Sequence, residues 1–379
     1  ALFTPTATRS LAGVSSTRDH VLLSVLDNVS SRVEVLSRKG KGWKTGSIPG
    51  APALGQVGIR PLDAHAGNEY WLTVTDYLTP STLMRGELGK GALTTLKQLP
   101  AFFDATDMTV AQHFATSKDG TRIPYFEVSR KAEATGPRPT LLYGYGGFEV
   151  SLLPRYSATR GISWLEKGGV YVVANIRGGG EFGPRWHQAA LKANRHRAYE
   201  DFAAVADDLV ARKVTVPAGL VAEGGSNGGL LTGNMYTLYP ERFGAILCEV
   251  PLLDMRRFNQ LLAGASWMGE YGDPDDPAQW EFIQTFSPYH NVDASERHPP
   301  MLLTTSTRDD RVHPGHARKM AAMLLGMGQD ILYWENIEGG HGGSADNKQA
   351  AFLSALEATF AWKHAEGGSR GATAGAKEE

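Results

Sequence analysis

A serine, a pair of aspartates and a histidine, each at the end of an apolar run, are the residues of this chain placed to do covalent chemistry. Gly224-Gly225-Ser226-Asn227-Gly228-Gly229 follows the run Leu220-Val221-Ala222 and precedes Leu230-Leu231-Thr232-Gly233-Asn234-Met235-Tyr236, which can continue as a helix. Strand, Gly-x-Ser-x-Gly, helix is the setting in which a serine is held on a sharp turn with its hydroxyl presented. The flanking glycines are required because a Cβ would collide with neighbouring backbone. Taken alone the motif reads equally well as a glycine-rich loop, and the residues downstream tip the balance. An apolar run over 301–305 reads as a buried strand and leads into Ser306-Thr307-Arg308-Asp309-Asp310-Arg311. The next, over 331–334, leads to Glu338-Gly339-Gly340-His341-Gly342-Gly343. Serine, acid and histidine in that chain order supply a nucleophile, a base that takes its proton and returns it to the leaving group, and a carboxylate that fixes the imidazole tautomer. Ser226 is therefore the candidate nucleophile. His341 is the candidate base, the one of 11 histidines so placed among glycines. Asp309 is taken as the acid, with Asp310 as the alternative. The backbone N–H of Asn227, next after the nucleophile, is the expected first donor to the developing oxyanion. The chemistry is acyl transfer through an acyl-enzyme, with no cofactor.

These residues need a scaffold, and the pattern around them supplies one. Short apolar strands over 140–143, 170–176, 220–223, 245–250, 301–305 and 331–334 alternate with helical segments. Among the latter, 199–212 carries Phe202, Val205, Ala206 and Leu209 at helical spacing, and 351–364 is the last. Such alternation predicts an α/β fold: a mostly parallel sheet covered on both faces. Residues 113–129, with Lys118-Asp119-Gly120 between alternating segments, read as a hairpin. Before them, strands over 20–26, 32–36, 70–74 and 83–88 are separated by turn residues, and the spacing suits propeller blades. The expected division is a partial β-propeller-like segment over 1–112, a catalytic domain over 113–365 with a polar loop over 132–139, and a small, polar, disordered tail over 366–379.

The combination Tyr143-Gly144-Tyr145-Gly146-Gly147-Phe148, Asn175-Ile176-Arg177-Gly178-Gly179-Gly180-Glu181, the Ser226 motif, Asp309-Asp310-Arg311-Val312 and Gly340-His341-Gly342 resembles the prolyl oligopeptidase family of serine peptidases. The resemblance covers about residues 114–364. It implies an α/β-hydrolase domain, Asp309 rather than Asp310 as triad acid, and the Tyr145 hydroxyl as second oxyanion donor. Trp267 would stack on a substrate proline ring, a flat aromatic face fitting a pyrrolidine through area and dispersion. Phe148, Tyr271 and Val312 would line the same pocket, and Arg311 would bind a substrate backbone carbonyl with its fixed donors. Two features depart from the family pattern. Roughly 110 residues of strand supply about two four-stranded blades where a closed propeller has about 4–8, and the stretch Val250-Pro251-Leu252-Leu253-Asp254-Met255 is bulkier than the pocket wall the family leads one to expect.

Composition excludes several classes. With 42% hydrophobic and 21% charged residues and a net charge of -2, nothing calls for a nucleic acid or an anionic membrane as partner. The single Cys248 lies in an apolar run and reads as a buried small hydrophobe. His313-Pro314-Gly315-His316 lacks a carboxylate or cysteine at ligand spacing. It reads as surface histidines beside a helix-starting proline rather than a metal pair. The Asn175–Glu181 stretch lacks the Gly-Lys-Ser/Thr ending of a phosphate loop and reads as a tight structural loop. Residues 1–5 have neither the basic start nor the apolar centre of a signal peptide. The absence of an initial methionine allows for a removed leader, so the compartment is left open between cytoplasm and periplasm or secretion. Three functions follow: a peptidase cleaving short peptides after proline, a carboxylesterase using the same triad, and a non-catalytic interaction module. The exposed β edges of an unclosed propeller add an expectation of homo-oligomers.

Overall fold

The computed structural model describes residues 1–131 and 136–375, with side chains to Ser369. Residues 132–135 of the expected polar loop and 376–379 of the tail lie outside the described residues. Strands β1 (Arg9–Ser16), β2 (His20–Asp27), β3 (Ser30–Lys39) and β4 (Gly42–Ser47) form one antiparallel sheet. Strands β5 (Gln56–Pro61), β6 (Glu69–Thr75), β7 (Thr82–Glu87) and β8 (Leu93–Gln98) form a second. Each sheet has the four-stranded make-up of a propeller blade. Tyr70, Leu72 and Val74 alternate inward along β6 and pack with Leu22, Val33 and Val35 between the two sheets. The inner strands β2, β3, β6 and β7 are those legible in sequence. β4 is exposed along its whole length, so it carries no alternation to read.

The third sheet has eight strands: β9 (Met108–Thr116), β10 (Arg122–Arg130), β11 (Thr140–Tyr143), β12 (Val170–Ala174), β13 (Leu220–Gly225), β14 (Ala245–Glu249), β15 (Met301–Ser306) and β16 (Ile331–Asn336). Their order is β16-β15-β14-β13-β11-β12-β10-β9. β9 and β10 form the hairpin expected around Lys118-Asp119-Gly120, and β10 runs antiparallel to β12. From β12 to β16 the pairing is parallel. The sheet begins at Met108, ahead of the division expected after residue 112.

Both faces of the sheet are covered, and β13 shows why a nearly continuous apolar run is needed. Leu220 and Ala222 point into a core shared with Phe202, Val205 and Leu209 of the helix His196–Ala211 and with Leu230 and Leu231 of the helix Asn227–Leu238. Val221 points the other way, to Leu141, Leu247, Leu302 and the Phe360, Ala361 and Ala365 stripe of the last helix. Full burial of a side chain such as Phe202 or Leu302 contributes about 1.5–3 kcal/mol. The blade segment joins this second core through Val29, Tyr77 and Phe103, with the Tyr77 and Phe126 rings 5.6 Å apart.

One expectation is corrected here. The last helix runs Asn347–Gly375 and continues through the part of 366–375 expected to be disordered. Its composition is poor in large apolar residues, but it packs through smallness. A Cβ on Gly368 would lie 1.9 Å from the Ala218 carbonyl oxygen, so the missing side chain lets the helix lie directly on the Pro217–Gly219 turn. Ala365 and Ser369 are buried in the same contact.

The Asn175–Glu181 loop is structural, as expected. Arg177, 4% exposed, donates through Nε and Nη2 to Asp201 at 2.9 and 2.6 Å and pairs with Asp119 at 2.5 Å, tying the loop to a core helix and to the β9–β10 turn. At the loop's end, Glu181 Oε1 accepts from the Leu152 N–H at 3.0 Å. Burial nevertheless pushes this carboxyl up to about 7 from its ordinary 4.5. The folded chain then keeps a proton that the unfolded chain releases. Stability from this group is complete below about 4.5 and declines as pH rises through about 7. Glu181→Gln is expected to flatten the fall in unfolding free energy between pH 5 and pH 8, measured by urea titration, by up to about 2–3 kcal/mol. An unchanged slope would count against this assignment.

Candidate active site

Ser226 sits between β13 and the helix Asn227–Leu238 with φ 61° and ψ -115°, a backbone conformation that costs a non-glycine residue about 1–3 kcal/mol. Two neighbours hold it there: its N–H donates to the Glu249 carbonyl at 2.8 Å, and its own carbonyl accepts from Leu230 N–H at 3.1 Å. The glycines on either side are required by contact. A Cβ on Gly224 would lie 2.4 Å from the Gly228 carbonyl oxygen, and one on Gly228 would lie 2.7 Å from that of Gly144. Gly225, the variable position of the motif, is less constrained: a Cβ there would lie 3.3 Å from Glu249 Oε2, a tight contact to which the carboxylate must yield by a few tenths of an ångström. The Asn227 N–H belongs to the first helical turn, whose donors have no partner within the helix.

His341 Nδ1 and Asp309 Oδ2 are 2.7 Å apart. Asp309 is 4% exposed, and its other oxygen, Oδ1, accepts from the N–H groups of Arg311 and Val312, both at 2.9 Å. Asp310 points to solvent. A carboxylate on Nδ1 places the imidazole hydrogen there and leaves Nε2 free to accept a proton. The histidine loop is clamped by one buried residue that sequence reading did not single out. Asn336 Oδ1 accepts from Glu338 and Gly339 N–H, and its Nδ2 donates to the Gly343 carbonyl at 3.0 Å. The described hydrogen bonds do not include one from Ser226 to His341. The Ser226 hydroxyl has the Tyr145 phenol as its polar neighbour. Burial raises the titration of that phenol, against the opposing pull of Arg311 and Ser226, so it remains an O–H donor at neutral pH.

The remaining expected site residues come from two segments beside the elbow. Phe148 and Tyr271 meet edge to face with ring centroids 5.7 Å apart, and the Tyr271 hydroxyl reaches Asn227 Oδ1 at 2.7 Å. Trp267 is half-buried against the core, in the helical turn that leads into Tyr271. Val312 is buried and Arg311 exposed, and the Arg311 carbonyl accepts from Ala263 N–H at 3.4 Å, which joins the acid loop to the Trp267 segment. Arg311 makes no ion pair with either neighbouring aspartate among the described residues. Leu252, Leu253 and Met255 are core residues, so the bulk expected in a pocket wall faces inward. Val250, at φ 38°, turns the chain there. His316 is a second correction: it is 1% exposed, not at the surface, and its Nδ1 accepts from Leu253 and Asp254 N–H. Burial holds it neutral by pushing its titration down to about 4. Cys248 is buried and faces the Gly229 carbonyl.

Sequence reading missed the polar residues beneath this surface. Arg195, fully buried, donates to Glu270 at 2.8 Å and to Asn227 Oδ1, and His187 meets the other Glu270 oxygen at 2.7 Å. The only available signal was a Glu next to Tyr271 and an Arg beyond the Asn175–Glu181 loop, far apart in the chain.

A parallel-centred eight-stranded sheet, a serine on a strained turn between its strand and helix, and a histidine held by a carboxylate on loops after later strands define an α/β-hydrolase. The model of the prolyl oligopeptidase family matches residues 155–368, and the chain belongs to that family. It is 46% identical to an uncharacterised peptidase of Sinorhizobium fredii over 94% of this chain and 49% of that one. To the prolyl endopeptidase of Elizabethkingia miricola it is 32% identical over 92% of this chain and 49% of that one. The solved structure of a post-proline cleaving enzyme from Rickettsia typhi superposes with a TM-score of 0.86 at 36% identity, covering 96% of this chain and 53% of that one. The chain thus spans about half the length of the curated relatives it matches.

Proposed function

We propose that the chain is a serine peptidase that cleaves short peptides after proline through an acyl-enzyme on Ser226. The observation that carries the reading is the 2.7 Å contact of His341 Nδ1 with the buried Asp309, on loops that follow β16 and β15. In the proposed cycle the scissile carbonyl carbon is attacked by Ser226 Oγ, whose proton passes to His341 Nε2 as the new bond forms. The carbonyl electrons move onto oxygen, where the Asn227 N–H and the Tyr145 O–H donate. Collapse expels the amine, which takes the proton from His341, and water then repeats the sequence on the ester. Arg311 would hold a substrate backbone carbonyl, and the Trp267 face would take the proline ring. Support for proline comes from the relatives named for post-proline cleavage and from the aromatic group Phe148, Trp267 and Tyr271 beside the elbow.

The test compares kcat/KM for a Z-Gly-Pro amide and a p-nitrophenyl ester on one preparation. Efficient amide cleavage supports the reading. Turnover of the ester alone would leave the triad and replace the peptidase by a carboxylesterase, and turnover of neither would leave an interaction module. Trp267→Ala should lower kcat/KM for the proline amide by about 10–100-fold, the worth of about 1.5–3 kcal/mol of apolar contact. The ester should lose much less, and equal losses on both substrates would remove the platform role.

A further inference from the structure

The segment Met268–Tyr271 carries more than a pocket wall. Two of its polar groups turn inward, away from any substrate, and both end on the side chain of Asn227. Glu270, 5% exposed, accepts the Phe148 N–H at 3.0 Å and Arg195 Nη1 at 2.8 Å on the same oxygen. Arg195 Nη2 continues to Asn227 Oδ1, where the Tyr271 hydroxyl also donates at 2.7 Å. Asn227 Nδ2 in turn donates to the Tyr145 carbonyl at 2.6 Å. Every residue that makes these contacts with its side chain is buried: Glu270, Arg195, Tyr271 and Asn227.

What this network holds is strained. Phe148 and Glu149 lie at φ 55° and 57°, two consecutive non-glycine residues in the left-handed region. Such a pair persists only when its surroundings fix it, and the Glu270 carboxylate on the Phe148 N–H is one such restraint. The loop so held presents Tyr145 at one end and Phe148 at the other. We infer that Glu270, with the Tyr271 hydroxyl beside it, is a positioning residue that couples occupation of the proline wall to the placement of the two oxyanion donors, Tyr145 O–H and Asn227 N–H. A ring settling between Trp267 and Phe148 orders the Trp267–Tyr271 segment, and its two inward arms carry that order to Asn227 and the Tyr145 backbone. The inference rests on the peptidase reading above and deepens it: proline contributes to kcat as well as to binding.

The experiment is a double-mutant cycle of Glu270→Gln and Trp267→Ala, read as kcat and KM on Z-Gly-Pro and Z-Gly-Ala amides and on a p-nitrophenyl ester. Glutamine keeps the shape and an acceptor for Phe148 but loses the charged bond to Arg195. Glu270→Gln is expected to lower kcat on the proline amide by about 30–100-fold, within the range for a displaced oxyanion donor, with KM changed less than about threefold. The preference in kcat for Pro over Ala should shrink with it. In the Trp267→Ala background the same change should cost less than about a third of that factor, because the wall no longer transmits. Tyr271→Phe, which keeps the ring and removes only the hydroxyl, should lower kcat in the same direction by about tenfold with KM unchanged, and it serves where the Glu270 variant folds poorly. Additive losses in the cycle, or equal losses on all three substrates, would overturn the coupling while leaving the peptidase reading standing. A wild-type chain that cleaves the ester and not the proline amide would overturn both, and that outcome is read before any variant is made.

Discussion

Ser226→Ala is expected to reduce turnover of every substrate by a factor of about 10⁴ or more, while the melting temperature stays within a few degrees of wild type. The size of the loss follows from the geometry. In the proposed mechanism the Asn227 N–H and the Tyr145 phenol still polarise a bound carbonyl, so some rate above the uncatalysed reaction survives, but alanine at 226 has no hydroxyl to form the acyl bond. The fold survives because the backbone does the holding at this position. The Ser226 N–H bonds the Glu249 carbonyl and its carbonyl receives Leu230, contacts that alanine makes equally well. The φ of 61° is no worse for alanine than for serine. Activity retained at more than about a hundredth of wild type would reject Ser226 as the nucleophile.

Asp309→Asn is expected to cost about 10⁴-fold in kcat with little change in KM, and Asp310→Asn to stay within about twofold, since Asp310 is exposed. The asymmetry has a structural cause specific to this loop. Asp309 Oδ1 already takes two backbone N–H groups, so an asparagine must keep its carbonyl oxygen there. Its NH₂ is then forced to the place of Oδ2, 2.7 Å from His341 Nδ1. A donor at that point makes Nδ1 the acceptor and moves the imidazole hydrogen to Nε2, the wrong tautomer for taking a proton from serine. Comparable losses from the two substitutions, or a larger one from Asp310, would reverse the assignment of the acid.

The parts of this molecule that were legible in sequence are those where one local rule suffices. Buried parallel strands carry nearly continuous apolar runs, so β11 to β15 stand out, and the edge strand β16 shows a short apolar run although Leu332 faces out. A serine between glycines after such a strand admits few conformations. The less legible parts depend on partners distant in the chain. β4 lies exposed and shows no alternation. The helix beyond residue 365 is held by the absence of a side chain at Gly368 against Ala218, a contact across 150 positions that composition represents as disorder. His316 looked superficial beside Pro314 and is buried because the Leu253 and Asp254 N–H groups need its ring nitrogen. Glu270 and Arg195 left no motif, since each is polar in a stretch where polar residues usually face water, and Asn227 was read for its backbone N–H while its buried side chain joins them.

The central claim is that Ser226 is the activated nucleophile, and covalent trapping measures it directly. After treatment with a fluorophosphonate, intact-mass and peptide mapping should find one adduct per chain, on the peptide containing Ser226, and its rate of formation should fall strongly in Asp309→Asn. No adduct, or an adduct on another residue that persists in Ser226→Ala, would contradict the account.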